Sequence, residues 1–280
     1  MSADNESVTF DGQSSEQNAS MLLAQARITE PPIEAFAQLA ALRGTRIYEV
    51  PGLNAEAITM PSDEGLLIKV RTGLPAARRR FTIAHELGHT YFYDTGSSGK
   101  TDHRGVSGRL DVREEGWCNN FAGDLLMPAK WLRRNLPLSF DPSIAQLVSL
   151  ANSYGVALEP LVMQLARYRL WPTPVVFLTP RRPGPVVRRV FTCGVVGTRL
   201  RPGSTLPSGS TPAAAAERGA LTGGAVENWL ELRGRFRSYR LEAAPVHNDV
   251  VVLVHVDPSE QTRERLASRA PTCDQQLLFT

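Results

Sequence analysis

Arg79-Arg80-Phe81-Thr82-Ile83-Ala84-His85-Glu86-Leu87-Gly88-His89 is the stretch that decides how this chain folds and what it does. Phe81, Ala84, Leu87 and Tyr91 recur at helical spacing and give the segment a side to bury. On a helix, His85 and His89 stack on one face with Cβ atoms about 5–6 Å apart, so both imidazoles can reach one cation. Glu86 is displaced around the helix, where its carboxylate reaches a metal-bound water rather than the metal. The cation lowers the pKa of that water towards about 7, and the glutamate takes its proton. Gly88 leaves room for another backbone or a substrate. The chain has only five histidines, so a chance His-Glu-x-x-His is unexpected. The plainer alternative is a helix with two solvated histidines beside an ordinary glutamate.

A catalytic site of this kind takes three protein ligands and keeps a fourth position open. The next strong helical run, Val112 to Leu126, ends before Pro128 and opens on Glu114 and Glu115. Asn119 lies one turn after Glu115 on the same face. It either hydrogen-bonds a ligand from behind or packs between helices. Cys118 lies off that face and reads as a small buried apolar residue rather than a ligand.

Arg-Arg-Phe-Thr-Ile-Ala-His-Glu-Leu-Gly-His at 79–89, followed by Glu-x-x-Cys-Asn-x-Phe-Ala-x-x-Leu-Leu-Met-Pro at 115–128, resembles the ImmA/IrrE metallopeptidase family. In that family the glutamate opening the second motif is the third metal ligand. Aligned on Asn119, Phe121 and Ala122, this is Glu115, a gluzincin-like arrangement, with Glu114 the neighbouring alternative. The resemblance implies one divalent cation, Zn2+ or in second place Mn2+. It also implies a metalloendopeptidase that cleaves a helix-turn-helix transcriptional repressor and so induces a stress, DNA-damage or mobile-element response. Two features depart from the family: Trp117 stands where a small residue is usual, and the loop Thr95 to Gly108 is less acidic. Neither touches the ligands. The developing oxyanion needs a donor; Tyr91, Tyr93, His103 and Arg113 are candidates by proximity, each with a structural or surface role as its alternative.

The resemblance covers about 31–171, half of the 280 residues, in a chain long enough for two domains. The fold class expected is α+β. A polar tail, 1–28, reads as disordered. A mainly helical zincin-like core with a small sheet, 29–135, follows: a helix from Pro32 with Ile33, Phe36, Leu39 and Leu42 on one face, strands at Ile47–Val50 and Gly65–Arg71, and helices at 79–93 and 112–126. Thr95 to Gly108 reads as a mobile loop. Residues 136–171 hold a helix-turn-helix-like pair with Gly155 at its turn. Its second helix is expected to show Glu159, Gln164, Arg167 and Arg169, either to DNA or as a brace for the core. Glu159 and Pro160 sit where a recognition helix wants groups suited to phosphate, which favours the brace.

Pro172-Thr173-Pro174 reads as a linker into a β-rich segment, 172–280, with runs at Val175–Leu178, Val186–Thr192 and Val250–Val256. Gly203 to Ala216 is low in complexity and reads as a flexible insertion. In the radiation-response branch of the family (IrrE, also called PprI) a GAF-like sensor domain follows the helix pair. The Pro-Val-Val-Phe-Leu opening and the late strand ending in Asp257-Pro258 resemble it.

Composition narrows the setting. Hydrophobic residues make up 42% and charged residues 21%, ordinary for a globular protein, and no run approaches the roughly 20 apolar residues that span a bilayer. The start lacks the basic and apolar segments of a signal peptide. Cys118, Cys193 and Cys273 form no disulfide framework, so the cytoplasm is the expected location. A net charge of +3 demands no nucleic acid, though Arg78-Arg79-Arg80 and Arg133-Arg134 could meet an anion. The rival to the peptidase is a non-proteolytic DNA-binding regulator with a structural metal and a sensor domain. Glu86 argues against it, since a structural site is closed by four ligands and needs no base.

Overall fold

The computed structural model describes residues 13–63, 65–95, 101–103, 112–136, 143–171, 173–181, 184–191, 200–227, 231–232, 235–236 and 239–255. The chain divides into two compact units, Met1–Asn135 with Leu150–Gln164, and Leu136–Ser149 with Leu165–Thr280. Both mix helix and sheet, and the fold is α+β.

In the first unit, α1 (Ser15–Gln25) starts on a capping box, the Ser14 side chain accepting from the Gln17 backbone while the Gln17 side chain reaches back. Its apolar residues Ala19, Leu22 and Leu23 are buried. This corrects the expectation of a disordered 1–28. Overall polarity at the N-terminus hid a local cap followed by an i, i+3, i+4 apolar stripe, and residues 1–12 lie outside those described. α2 (Phe36–Leu42) leads into β1 (Thr45–Val50), β2 (Ala57–Ser62) and β3 (Gly65–Arg71). These pair in the order β1-β3-β2, with β1 parallel and β2 antiparallel to β3. Leu66, Ile68 and Val70 alternate inward on β3, on the face that α3 (Ala76–His89) covers.

After α3, a single 3-10 turn at Thr90–Phe92 breaks the run, and Tyr93 begins a strand rather than ending the helix as expected. β4 (Tyr93–Thr95) pairs antiparallel with β5 (Thr101–His103), so part of the expected loop is a hairpin; 96–100 and 104–110 lie outside the described residues. α4 (Val112–Leu126) packs on both α3 and α1. Ile83 and Leu87 of α3 and Phe121, Leu125 and Leu126 of α4 are fully buried. At about 1.5–3 kcal/mol for each large apolar side chain, this interface holds the two helices together. The ion pairs of the α3 arginines, Arg78 with Glu56, Arg79 with Glu49 and Arg80 with Glu34, lie at the surface and contribute only about 0–1 kcal/mol each. Every guanidinium of that run already has a carboxylate, which leaves little to offer an external anion.

α5 (Ala129–Asn135) follows Pro128, and α6 (Ile144–Tyr154) and α7 (Leu158–Arg167) flank Gly155, whose φ of 64° suits a residue without Cβ. Arg80 Nη1 donates to the Gly155 carbonyl at 3.1 Å, tying this turn to α3. Gln164 is not displayed as expected. It is 1% exposed and donates to Asp124 Oδ1 at 2.8 Å, while Ser15 Oγ donates to Asp124 Oδ2 at 2.7 Å. A buried carboxylate needs such donors, and meeting that need turns Gln164 inward and joins α1, α4 and α7 at one point.

In the second unit, β6 (Val175–Thr179), β7 (Val186–Phe191), β8 (Thr222–Glu227), β11 (Tyr239–Val246) and β12 (Asp249–His255) form an antiparallel sheet in the order β7-β6-β12-β11-β8. β9 (Glu231–Leu232) and β10 (Arg235–Phe236) make a separate two-stranded ladder. β12 is central, and Val250 to Val254 are all buried, which explains its unbroken apolar run. The segment expected as a flexible insertion instead contains α8 (Thr211–Arg218). Pro212 stands in its first turn, four alanines fill its middle, and Gly219 closes it in the left-handed conformation. Ala213 and Ala215 are buried. Low complexity here is a run of the residue with the highest helix propensity. No described helix is long and apolar enough to cross a membrane.

Candidate metal centre

The site lies where α3 and α4 cross, and the crossing is close. A Cβ on Gly88 would lie 3.1 Å from Cys118 Cα and 3.2 Å from both its Cβ and Sγ, so any larger residue here needs α4 to give by a few tenths of an ångström. Trp117, the departure from the family pattern, fills the next layer, stacked on Phe121 with ring centroids 5.3 Å apart and tilted against Tyr91 at 5.4 Å.

His85 Nε2 and His89 Nε2 are 3.1 Å apart. Glu115 places Oε2 3.3 Å from His85 Nε2 and Oε1 3.4 Å from His89 Nε2. The three side chains form a group that could hold one metal ion. Ligand bonds of about 2.0–2.2 Å at tetrahedral angles separate neighbouring ligand atoms by roughly 3.3 Å, and these distances match that.

The far ring nitrogens explain why both Nε2 atoms point inward as acceptors. His85 Nδ1 lies 3.1 Å from Asn119 Oδ1 and His89 Nδ1 lies 2.7 Å from Glu114 Oε1. Oδ1 and a carboxylate can only accept, so each Nδ1 carries the hydrogen and each Nε2 presents its lone pair. Two lone pairs 3.1 Å apart, with carboxylate oxygens within 3.4 Å, repel unless a cation lies among them. The electrostatics agree. Burial alone would lower the His89 pKa, but the Glu114 hydrogen bond and the charges of Glu86, Glu115 and Glu114 raise it above its ordinary value. Protons stand in for the cation here: a hydrogen bond from protonated His85, together with the charges of His89 and His85, holds the Glu115 carboxyl below its ordinary value against burial. The cluster draws positive charge.

Glu86 is 8% exposed and its carboxylate is free of the histidines. Thr59 Oγ1, from β2, lies 2.7 Å from Glu86 Oε2 and donates to it. Tyr93 donates its hydroxyl to the Thr59 carbonyl at 3.3 Å. Burial and then the charges of Glu114 and Glu86 push the Tyr93 phenol up, so it remains a donor. Burial and the carboxylates of Glu114, Glu115 and Glu86 push the Cys118 thiol up as well, and Cys118 stands outside the His85, His89 and Glu115 group. Of the other oxyanion candidates, Tyr91 lies beneath the Arg43 guanidinium, 3.6 Å from its ring centroid, and Arg113 is exposed. The side chain of His103 lies outside the described residues. Thr59 carried no signal in the sequence: β2 contains Pro61, and its approach to α3 is a long-range event.

Residues 53–166 match the family model of the IrrE N-terminal-like domain, peptidase family M78. This stretch belongs to the ImmA/IrrE metallopeptidases. Over 82% of its length the chain is 27% identical to the radiation response metalloprotease IrrE of Deinococcus radiodurans, of which it covers 78%. Among solved structures, a Mycobacterium tuberculosis transcriptional regulator is similar with a TM-score of 0.51 and 16% identity, over 86% of this chain and 76% of that one. That likeness is one of fold. The ImmA/IrrE domain accounts for both motifs: the His-Glu-x-x-His of α3 and the second motif of α4 fall within the matched residues.

Proposed function

We propose that the chain is a metal-dependent endopeptidase with His85, His89 and Glu115 as metal ligands and Glu86 as general base. We further propose that its substrate is a helix-turn-helix transcriptional repressor whose loss induces a stress, DNA-damage or mobile-element response. The observation that carries the metal site is the convergence of two Nε2 lone pairs and the Glu115 carboxylate at tetrahedral-edge distances. Zinc is the metal proposed, because two imidazoles and a carboxylate suit it and leave a fourth position for water; manganese is the alternative. When bound, the cation supplies a water acidified to near neutral pKa and polarises the scissile carbonyl.

The rest falls to the protein. Glu86 takes the proton of the attacking water and passes it to the leaving amine. Asn119 and Glu114 fix the imidazole tautomers. Tyr93 is the candidate donor to the developing oxyanion, its hydroxyl turning from the Thr59 carbonyl to reach it, since it shares its surroundings with Glu86 and Glu114. The second unit is proposed to sense the controlling signal. A DNA-contacting role for α7 loses support from the inward Gln164.

Substrate and chemistry are tested together by incubating the purified protein with the repressor encoded beside its gene, first with zinc or manganese and then with chelator. A discrete cut that needs metal is expected. An intact repressor under every metal condition would sink the substrate assignment.

The two neighbouring glutamates should separate. Glu115→Ala is expected to lower metal affinity sharply, whereas Glu114→Ala, which frees His89 Nδ1 but removes no ligand, costs about 10–100-fold at most. Isothermal titration with zinc reads both. An empty site in Glu114→Ala beside a full one in Glu115→Ala would reverse the ligand assignment.

A further inference from the structure

The Glu86 carboxylate is aimed by a residue from outside the motif helices. We propose that Thr59 is a positioning residue for the reaction: its hydroxyl fixes one oxygen of the Glu86 carboxylate and leaves the other to take the proton. The inference rests on Glu86 being the base.

Three observations carry it. First, Thr59 Oγ1 lies 2.7 Å from Glu86 Oε2 and 3.1 Å from the Glu86 carbonyl oxygen, and it has a single hydrogen to give. The carboxylate oxygen, at the shorter distance, takes it. Second, no other side chain among the described residues donates to that carboxylate, so this bond alone sets the terminal torsion, which is otherwise broad and two-fold. Third, Thr59 is itself well held. It is 8% exposed, pairs with Ile68 on the middle strand β3, and its carbonyl accepts from Tyr93. A rigid strand thus carries the donor, and a donor on a rigid element defines geometry better than one on a loop. The same residue joins the base to the one tyrosine that lies in the field of the site carboxylates.

A threonine kept only for strand packing would be replaced by valine without loss, because the two share shape and branching. A positioning threonine would not. The test uses the full-length, zinc-loaded protein and acetohydroxamic acid, which binds zinc as its anion and gives its proton to the adjacent base, so its affinity reports the base without any protein substrate. Thr59→Val is expected to weaken acetohydroxamate binding about tenfold, the lower end for a residue that orients a site group, at unchanged zinc content by elemental analysis. Thr59→Ser, which keeps the donor, should bind as the wild type does. In a Glu86→Gln background Thr59→Val should add nothing, since coupled residues are non-additive.

Wild-type affinity in Thr59→Val, or an equal loss in both backgrounds, overturns the proposal. So does a loss in Thr59→Ser. Should Thr59→Val fail to hold zinc, Thr59→Ala replaces it in the same cycle with the same expected and overturning results. A Glu86→Gln protein that binds acetohydroxamate as the wild type does would instead remove Glu86 as the base, a failure of the underlying reading that this arm identifies separately.

Discussion

Glu86→Gln is expected to keep the full metal complement and to lower substrate cleavage by a factor on the order of 10²–10⁴, the usual worth of a general base. The substitution preserves size and still accepts from Thr59, so the α3–α4 interface and the ligand triangle are untouched. What disappears is the ability to take a proton. Glu86 contributes no atom to the His85, His89 and Glu115 group, and this makes the separation of binding from chemistry sharp. The paired measurement is elemental analysis and single-turnover cleavage of the repressor. Cleavage at the wild-type rate with metal bound would require another base.

His85→Ala with His89→Ala is expected to empty the site and abolish cleavage. The wild-type protein is expected to carry about one divalent ion per chain, a number the double substitution brings to near zero because one carboxylate cannot hold a catalytic cation. Stability should follow. A protein loaded at roughly 1,000 times its dissociation constant gains about 4 kcal/mol from the ion, so chelator should lower the wild-type melting temperature by several degrees and leave the double variant unmoved. A full complement in the double variant by elemental analysis would place the metal elsewhere.

Much of the first unit was legible because its signals are local. The 3.6-residue period through Phe81, Ala84 and Leu87 and the Pro128 stop marked α3 and α4, and the His85 to His89 spacing alone placed two imidazoles on one face. The partners of those groups were less legible. Glu114 and Glu115 are adjacent in the chain and both reach the histidines; which one meets the Nε2 atoms and which the far Nδ1 of His89 depends on the α4 rotation that burying Trp117, Cys118 and Phe121 imposes. Thr59 was invisible for a related reason: a strand interrupted by Pro61 shows neither clean alternation nor a hint of the helix it meets. α1 and α8 were missed because composition was weighed over a whole segment, whereas a capping serine at 14, or a proline and four alanines from 212, act over a few residues. Gln164 looked exposed because its need for a partner, Asp124, lies 40 residues away.

The absent side chain at Gly88 also sets a width. Helices α3 and α4 meet there at a separation that a methyl group would press on, one turn after His85, next to His89 and against the helix that carries Glu115. The mouth of the cation cage is therefore gauged by the approach of the two helices as well as by the ligands. Alanine at 88 is expected to push α4 off by a few tenths of an ångström and loosen the third ligand while leaving the His-Glu-x-x-His signature intact, so a sequence can keep every metal-binding letter and hold the ion less tightly.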